Sequence, residues 1–161
     1  MSEKRIELCL DDVFSVIDEK IKNGGDVTFS PKGISMLPLL KPSLDSVTLT
    51  LPKKRPRRGD IVFYRRENGQ FVLHRIVGEN KDGFILCGDN QFRLEKNITE
   101  KHIIAILKNA THNKKEIDFN SSSYKLYVKM LVMRRLYLRL KYISVRLVSA
   151  VLRRIKKLFK K

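Results

Sequence analysis

A chain of 161 residues can build one packed domain with little length to spare, and its 42% apolar content excludes a disordered chain. The net charge of +17 is extreme for this size and points to anionic partners: phosphodiester, lipid headgroup or acidic protein. Cys9 and Cys87 lie far apart, and His74, His102 and His112 show no ligand spacing, so no disulfide framework, structural metal or cofactor is expected.

In chain order, Ile6, Leu8, Cys9, Val13, Val16, Ile17 and Ile21 recur at roughly helical spacing. Asn23, Gly24 and Gly25 should stop this short helix, which sets residues 1–25 apart as an N-terminal helical segment. Acidic residues interrupt each of its apolar runs, so it has neither the pattern of a secretory signal nor that of a membrane anchor. The two thiols therefore read as reduced and cytosolic, used for core packing.

From Asp26 the period changes from helical to alternating. "VTFS", "SVTLTL", "DIVFYRR", "FVLHRIVG" and "FILCG" are short and rich in β-branched and aromatic residues. Glu67-Asn68-Gly69-Gln70 and Lys81-Asp82-Gly83 carry hairpin signals. "HIIAILKNA" and "KEIDF", joined through His112-Asn113-Lys114, make a further hairpin. Residues 26–119 thus read as a mainly β domain, an antiparallel sheet that is curled or barrel-like.

Four short stretches in this domain could carry chemistry. In "KGISMLPLL" a lone serine, Ser35, sits on a bend between Gly33 and Pro38. A serine hydroxyl needs a base, a partner for that base and donors for an oxyanion before it acts as a nucleophile. Alternation in "FVLHRIVG" puts Val72, His74 and Ile76 on one face, with Phe71, Leu73, Arg75 and Val77 on the other. His74 is then the available base, because no lysine lies inside these strands; taken by itself it reads more readily as a satisfied core histidine. Arg75 takes a structural or surface role on the opposite face. "CGDN" ends a strand with Asp89, a candidate to orient the imidazole, although Gly-Asp-Asn is also a common turn. Arg58-Gly59-Asp60 most simply shapes the turn before a strand.

In this order the boxes resemble the signal peptidase I superfamily, which also holds the self-cleaving SOS-response repressors. The serine box maps onto Gly33, Ser35, Met36 and Pro38, and the Arg-Gly-Asp strand start onto Arg58, Gly59 and Asp60. The His-Arg box maps onto His74 and Arg75, and the Gly-Asp box onto Gly88 and Asp89. The likeness covers about residues 27–110 and is to the histidine-base branch of the endoplasmic reticulum and spore formers. It implies a β-rich peptidase fold of the signal-peptidase type and cleavage of a precursor or leader peptide after a small residue. Ser35 would be the nucleophile, His74 the base and Asp89 the orienting acid, with Glu95 the other candidate for that place. Many exporting members have a serine at the position of Gly33 whose hydroxyl helps hold the oxyanion. Here that donor is missing, at a cost on the order of 3 kcal/mol, and the oxyanion would rest on backbone N–H groups, chiefly that of Ser35. Met36 is expected to line the substrate cleft. The usual N-terminal anchor has no counterpart in these residues. A self-cleaving or non-catalytic regulator on the same fold is the alternative.

"NSSS", residues 120–123, reads as a linker. Residues 124–161 then contain thirteen basic residues and no acidic one. The longest uncharged stretch, "LVSAVL", is far short of the roughly 20 residues of a membrane span. Leu131, Leu138, Tyr142, Val145, Val148 and Leu152 form a stripe between basic side chains. A basic amphipathic helix lying on an anionic membrane, at the cytoplasmic face, is the expectation. The alternatives are a helix folded back on the β domain, and non-specific attraction to nucleic acid, for which no base-reading motif is visible. Nothing in the sequence fixes an oligomeric state.

Overall fold

The computed structural model describes residue 17 and residues 19–158. Most of the expected N-terminal helix, and Cys9 with it, lie outside the described residues. The end of that helix is as expected. Gly24 takes a positive φ of 79°, the Gly25 amide donates to the Lys20 carbonyl and the Gly24 amide to that of Ile21. This is a Schellman stop, for which a residue without a Cβ is best suited.

Eight strands follow: β1 (Val27–Phe29), β2 (Val47–Thr50), β3 (Ile61–Arg65), β4 (Phe71–Asn80), β5 (Gly83–Cys87), β6 (Glu95–Ile98), β7 (Ile103–His112) and β8 (Lys115–Glu116). A 3-10 turn, Glu100–His102, precedes β7, and a C-terminal helix spans Ser122–Leu158. The strands form one antiparallel sheet in the order β1-β2-β7-β3-β4-β5-β6, with β8 paired to β7. All three expected hairpins form. Gly69 closes β3–β4 at a φ of 86°, Gly83 closes β4–β5 at 133°, and Asn113 and Lys114 both have positive φ between β7 and β8, as a tight hairpin turn requires.

The sheet is not closed, which corrects the barrel-like expectation. Its outer strands β1 and β6 have three and four residues and pair only inward, with β2 and β5. Register shifts with the extra residue on β7 (at Lys108 and at Ile104), on β4 and on β6 bend it without joining those edges. Strand alternation sorts the core into two clusters. Phe63, Leu73, Val47, Leu49 and Ala105 join Ile17, Ile21 and Met36 in the first, and Val62, Tyr64, Ile76, Phe84 and Leu86 make the second. Neighbouring residues of β3 thus bury against opposite layers.

The C-terminal helix starts within the expected linker, at Ser122, after a turn in which the Ser121 hydroxyl donates to the Asp118 carbonyl. It lies back along the domain. Tyr124 and Tyr127 pack on the first cluster, and Leu131 is fully buried.

Candidate active site

Ser35 and His74 come from distant parts of the chain and meet at Gly88. Ser35 lies in the turn from Ile34 to Leu39 that follows β1, partly buried, with Ile34 beside it 63% exposed. This turn contains a cis Leu37–Pro38 peptide. It is clamped to the segment after β5, where the Asn90 amide donates to the Ser35 carbonyl at 2.8 Å and the Asn90 side chain to the Ile34 carbonyl at 3.2 Å. A Cβ added at Gly88 would lie 2.7 Å from the Ser35 carbonyl oxygen and 3.1 Å from His74 Nε2. The serine turn and the outer nitrogen of the imidazole therefore face the same small volume, kept open by the absence of a side chain at Gly88. The Ser35 hydroxyl and the ring are not hydrogen-bonded to each other in this state. Among the described residues the Ser35 amide donates to no acceptor.

His74 is buried in the middle of β4, on the face that alternation predicts. Its Nδ1 lies 3.0 Å from Glu95 Oε1 and 3.2 Å from the Tyr64 hydroxyl. Glu95 is in turn gripped by Arg66, with Nε donating to Oε2 at 2.7 Å and Nη2 to Oε1 at 2.5 Å. Burial pushes the His74 pKa below its ordinary value, against the pull of Glu95 in the other direction. Burial also opposes ionisation of Glu95, yet hydrogen bonds from Arg66 and Tyr64 and the charges of His74 and Arg66 hold its carboxyl below the usual range. At neutral pH the pair is a neutral imidazole facing a carboxylate, the state a general base requires.

Asp89 does not orient His74, and this corrects the assignment of the acid. It is fully buried and takes both arms of the Arg75 guanidinium, Nε to Oδ1 at 2.9 Å and Nη2 to Oδ2 at 2.7 Å. The Tyr127 hydroxyl of the C-terminal helix donates to the same carboxylate at 2.9 Å. Arg75 Nη1 donates to the Gly59 carbonyl and the Tyr124 hydroxyl, both at 2.8 Å. Such a desolvated, fully bonded pair is structural, in keeping with the role expected for Arg75. Asp60 accepts from the Arg57 amide and shapes its turn, as expected.

One further residue differs from expectation. Met36 is 3% exposed and packs into the first core cluster, because the turn directs it inward. Gly33 is exposed, with nothing within 4 Å of where a side chain would begin. The sequence reading missed Tyr64, Arg66 and Asn90, which hold Glu95 and the serine turn, and Arg134, which donates to the Asp89 carbonyl and to Asn90 Oδ1. Alternation along β3 was the available signal for Tyr64, which shares the layer of His74 across the hairpin. A groove of about 620 Å³ runs along the far side of Glu95, lined by Arg66, Asn90, Phe92 and Leu138, and neither Ser35 nor His74 lines it.

Among the described residues no three His, Cys, Asp or Glu side chains are grouped to hold a metal ion, and no helix is long and apolar enough to cross a membrane. No protein-family model matches the chain, and no curated protein is similar enough to it to count as a relative.

Proposed function

We propose that this protein is a serine endopeptidase of the signal-peptidase type, with Ser35 as nucleophile, His74 as general base and Glu95 as the acid that orients the ring. One observation carries the reading: His74 Nε2 and the Ser35 carbonyl converge on the Cβ position of Gly88, while Nδ1 of the same ring faces a carboxylate. Nδ1 keeps its proton toward Glu95, so Nε2 has a free lone pair. Catalysis requires the Ser35 hydroxyl to reach Nε2 in the substrate complex, as catalytic hydrogen bonds often tighten only when substrate binds.

Ser35 Oγ attacks the scissile carbonyl and His74 Nε2 takes its proton. The resulting imidazolium is stabilised by Glu95. The oxyanion rests on the Ser35 amide, which is unengaged within the described part of the chain. His74 returns the proton to the leaving amine as the C–N bond breaks. It then takes a proton from water as the water oxygen attacks the acyl-serine, and returns that proton to Ser35 Oγ as the ester C–O bond breaks and the acid product leaves. The resemblance of the four sequence boxes to the signal peptidase I superfamily implies the substrate class: a precursor or leader peptide cut after a small residue.

The test is cleavage of a mixed peptide library by the full chain, with product mapping by mass spectrometry. Ser35→Ala should abolish cleavage, and His74→Ala should slow it by about two to four decades. Cleavage that persists unchanged in Ser35→Ala overturns the proposal. Two fragments of the chain itself, absent from Ser35→Ala, would instead identify the self-cleaving form of the same chemistry.

A further inference from the structure

The C-terminal helix has two apolar faces, and only one is used by the fold. Tyr124, Tyr127, Leu131, Arg134 and Leu138, three and four residues apart, turn inward on the domain. Tyr142 adds a ring contact with Phe92 at 5.1 Å. The stripe on which the sequence rested its membrane expectation is thus in part the fold-back surface. The opposite side carries Leu126, Met130, Met133, Tyr137, Leu140 and Leu147, each between 58% and 66% exposed. They form an apolar ridge, interrupted at Ser144, along an element about 55 Å long at 1.5 Å per residue. Lys129 and Lys141 border this ridge, Arg139 and Arg146 lie further around, and all four are exposed. From Arg139 to Val148 every residue of the helix is exposed.

We infer that this outer ridge docks in the interface of an anionic lipid bilayer, with the helix lying in the membrane plane and the β domain on its aqueous side. The charge pattern selects this occupant. A second copy would set two strongly basic helices face to face, with no acidic residue after Asp118 in either to offset them. A nucleic acid would engage the lysines and arginines and leave the apolar ridge in water. An anionic bilayer satisfies both at once: the ridge enters the headgroup and acyl boundary while the flanking charges meet lipid phosphates. The inference is independent of the chemistry at Ser35.

The experiment is co-sedimentation of the full chain with vesicles of phosphatidylcholine alone and of phosphatidylcholine mixed with phosphatidylglycerol, at low and high salt. The chain should partition onto the mixed vesicles, more weakly as salt rises. Met133→Ser with Leu140→Ser, at two exposed positions, should weaken partition more than about tenfold with the circular dichroism spectrum unchanged. Lys129→Gln with Lys141→Gln should weaken it by about fivefold per charge removed. Partition that ignores the Met133/Leu140 pair, or no partition at all, overturns the inference. So does a dimer in sedimentation equilibrium that the same pair dissociates, since the ridge would then belong to a second copy.

Discussion

Glu95 and Asp89 are both carboxylates next to basic groups, but their partners divide their work. Glu95 faces the imidazole, so its charge tunes the base; Asp89 is committed to Arg75, so its charge holds the fold. The His74 pKa lies below its ordinary 6.5 because burial outweighs Glu95. The base is active when deprotonated, so the acid limb of kcat/KM should fall below 6.5. Glu95→Gln removes a charge that raises this pKa and leaves Arg66, which lowers it, uncompensated. The limb should therefore move to still lower pH while the plateau drops by roughly two to four decades. A pH–rate profile of the variant checks both, and a limb displaced upward would show that Glu95 does not face the working base. Asp89→Asn should move the limb in the same direction but by less than Glu95→Gln does, because the Asp89 charge is a smaller contributor to raising the His74 pKa. Its cost falls on stability, about 3 kcal/mol in urea unfolding, because Arg75 keeps a buried charge with half its pairing gone.

At the scale of elements, the choice between those two acids turns on one bulge. The β4–β5 hairpin begins with Asn80 opposite Gly83. Continued regularly, that register would set His74 opposite Asp89, the pairing a straight reading of the sequence favours. An extra residue at Val77 shifts it, so that Arg75 stands opposite Cys87 and Gly88 comes to His74 instead. One residue of slip moves a side chain to the other face, which sends Asp89 to the side of Arg75. Nothing in "HRIVGEN" marks Val77 as the bulge, since Gly78 beside it was equally suited. Strand β6, "EKNI", was missed as well, because its residues have little intrinsic strand preference. It exists through pairing with β5, and that pairing delivers the acid: Ile76, Leu86 and Glu95 align across three strands on the layer of His74. The hairpins, the alternation of β4 and the serine and histidine were legible because local turn chemistry and period-two patterning set them. The insertion of β7 between β2 and β3 and the open edges were not, since they depend on contacts between segments far apart in sequence. The two faces of the C-terminal helix were also hidden, because one apolar stripe reads like another until the domain occupies it.

For the whole molecule, the charge that suits an anionic partner works against compactness, and pH sets how strongly. Near neutrality 17 acidic residues offset half of the 34 lysines and arginines. Buried Asp45 shows how the fold uses them. Burial opposes its ionisation, but the amides of Lys41 and Asn113 and the His112 ring hold its pKa below 3.8. A carboxyl with a depressed folded pKa stabilises the fold above its unfolded value, and that contribution is lost as pH falls through the folded pKa. The same holds for Glu95 below 4.5. His74 acts in the same direction from a higher start: its folded pKa is also depressed, so the unfolded chain takes up the proton first and stability begins to fall below 6.5. Acid therefore removes specific support while leaving the basic residues uncompensated. The melting temperature should decline gently from about pH 6.5 and steeply below about pH 4, by roughly 10 °C or more in all. Sodium chloride should raise it at both ends of this range, and more in acid, because screening shortens the reach of the repulsion. Thermal unfolding followed by circular dichroism across pH at two salt concentrations measures this. Destabilisation by salt at neutral pH would mean that surface pairs such as Lys108–Asp26 and Arg55–Glu79 outweigh the mutual repulsion of the excess positive charge.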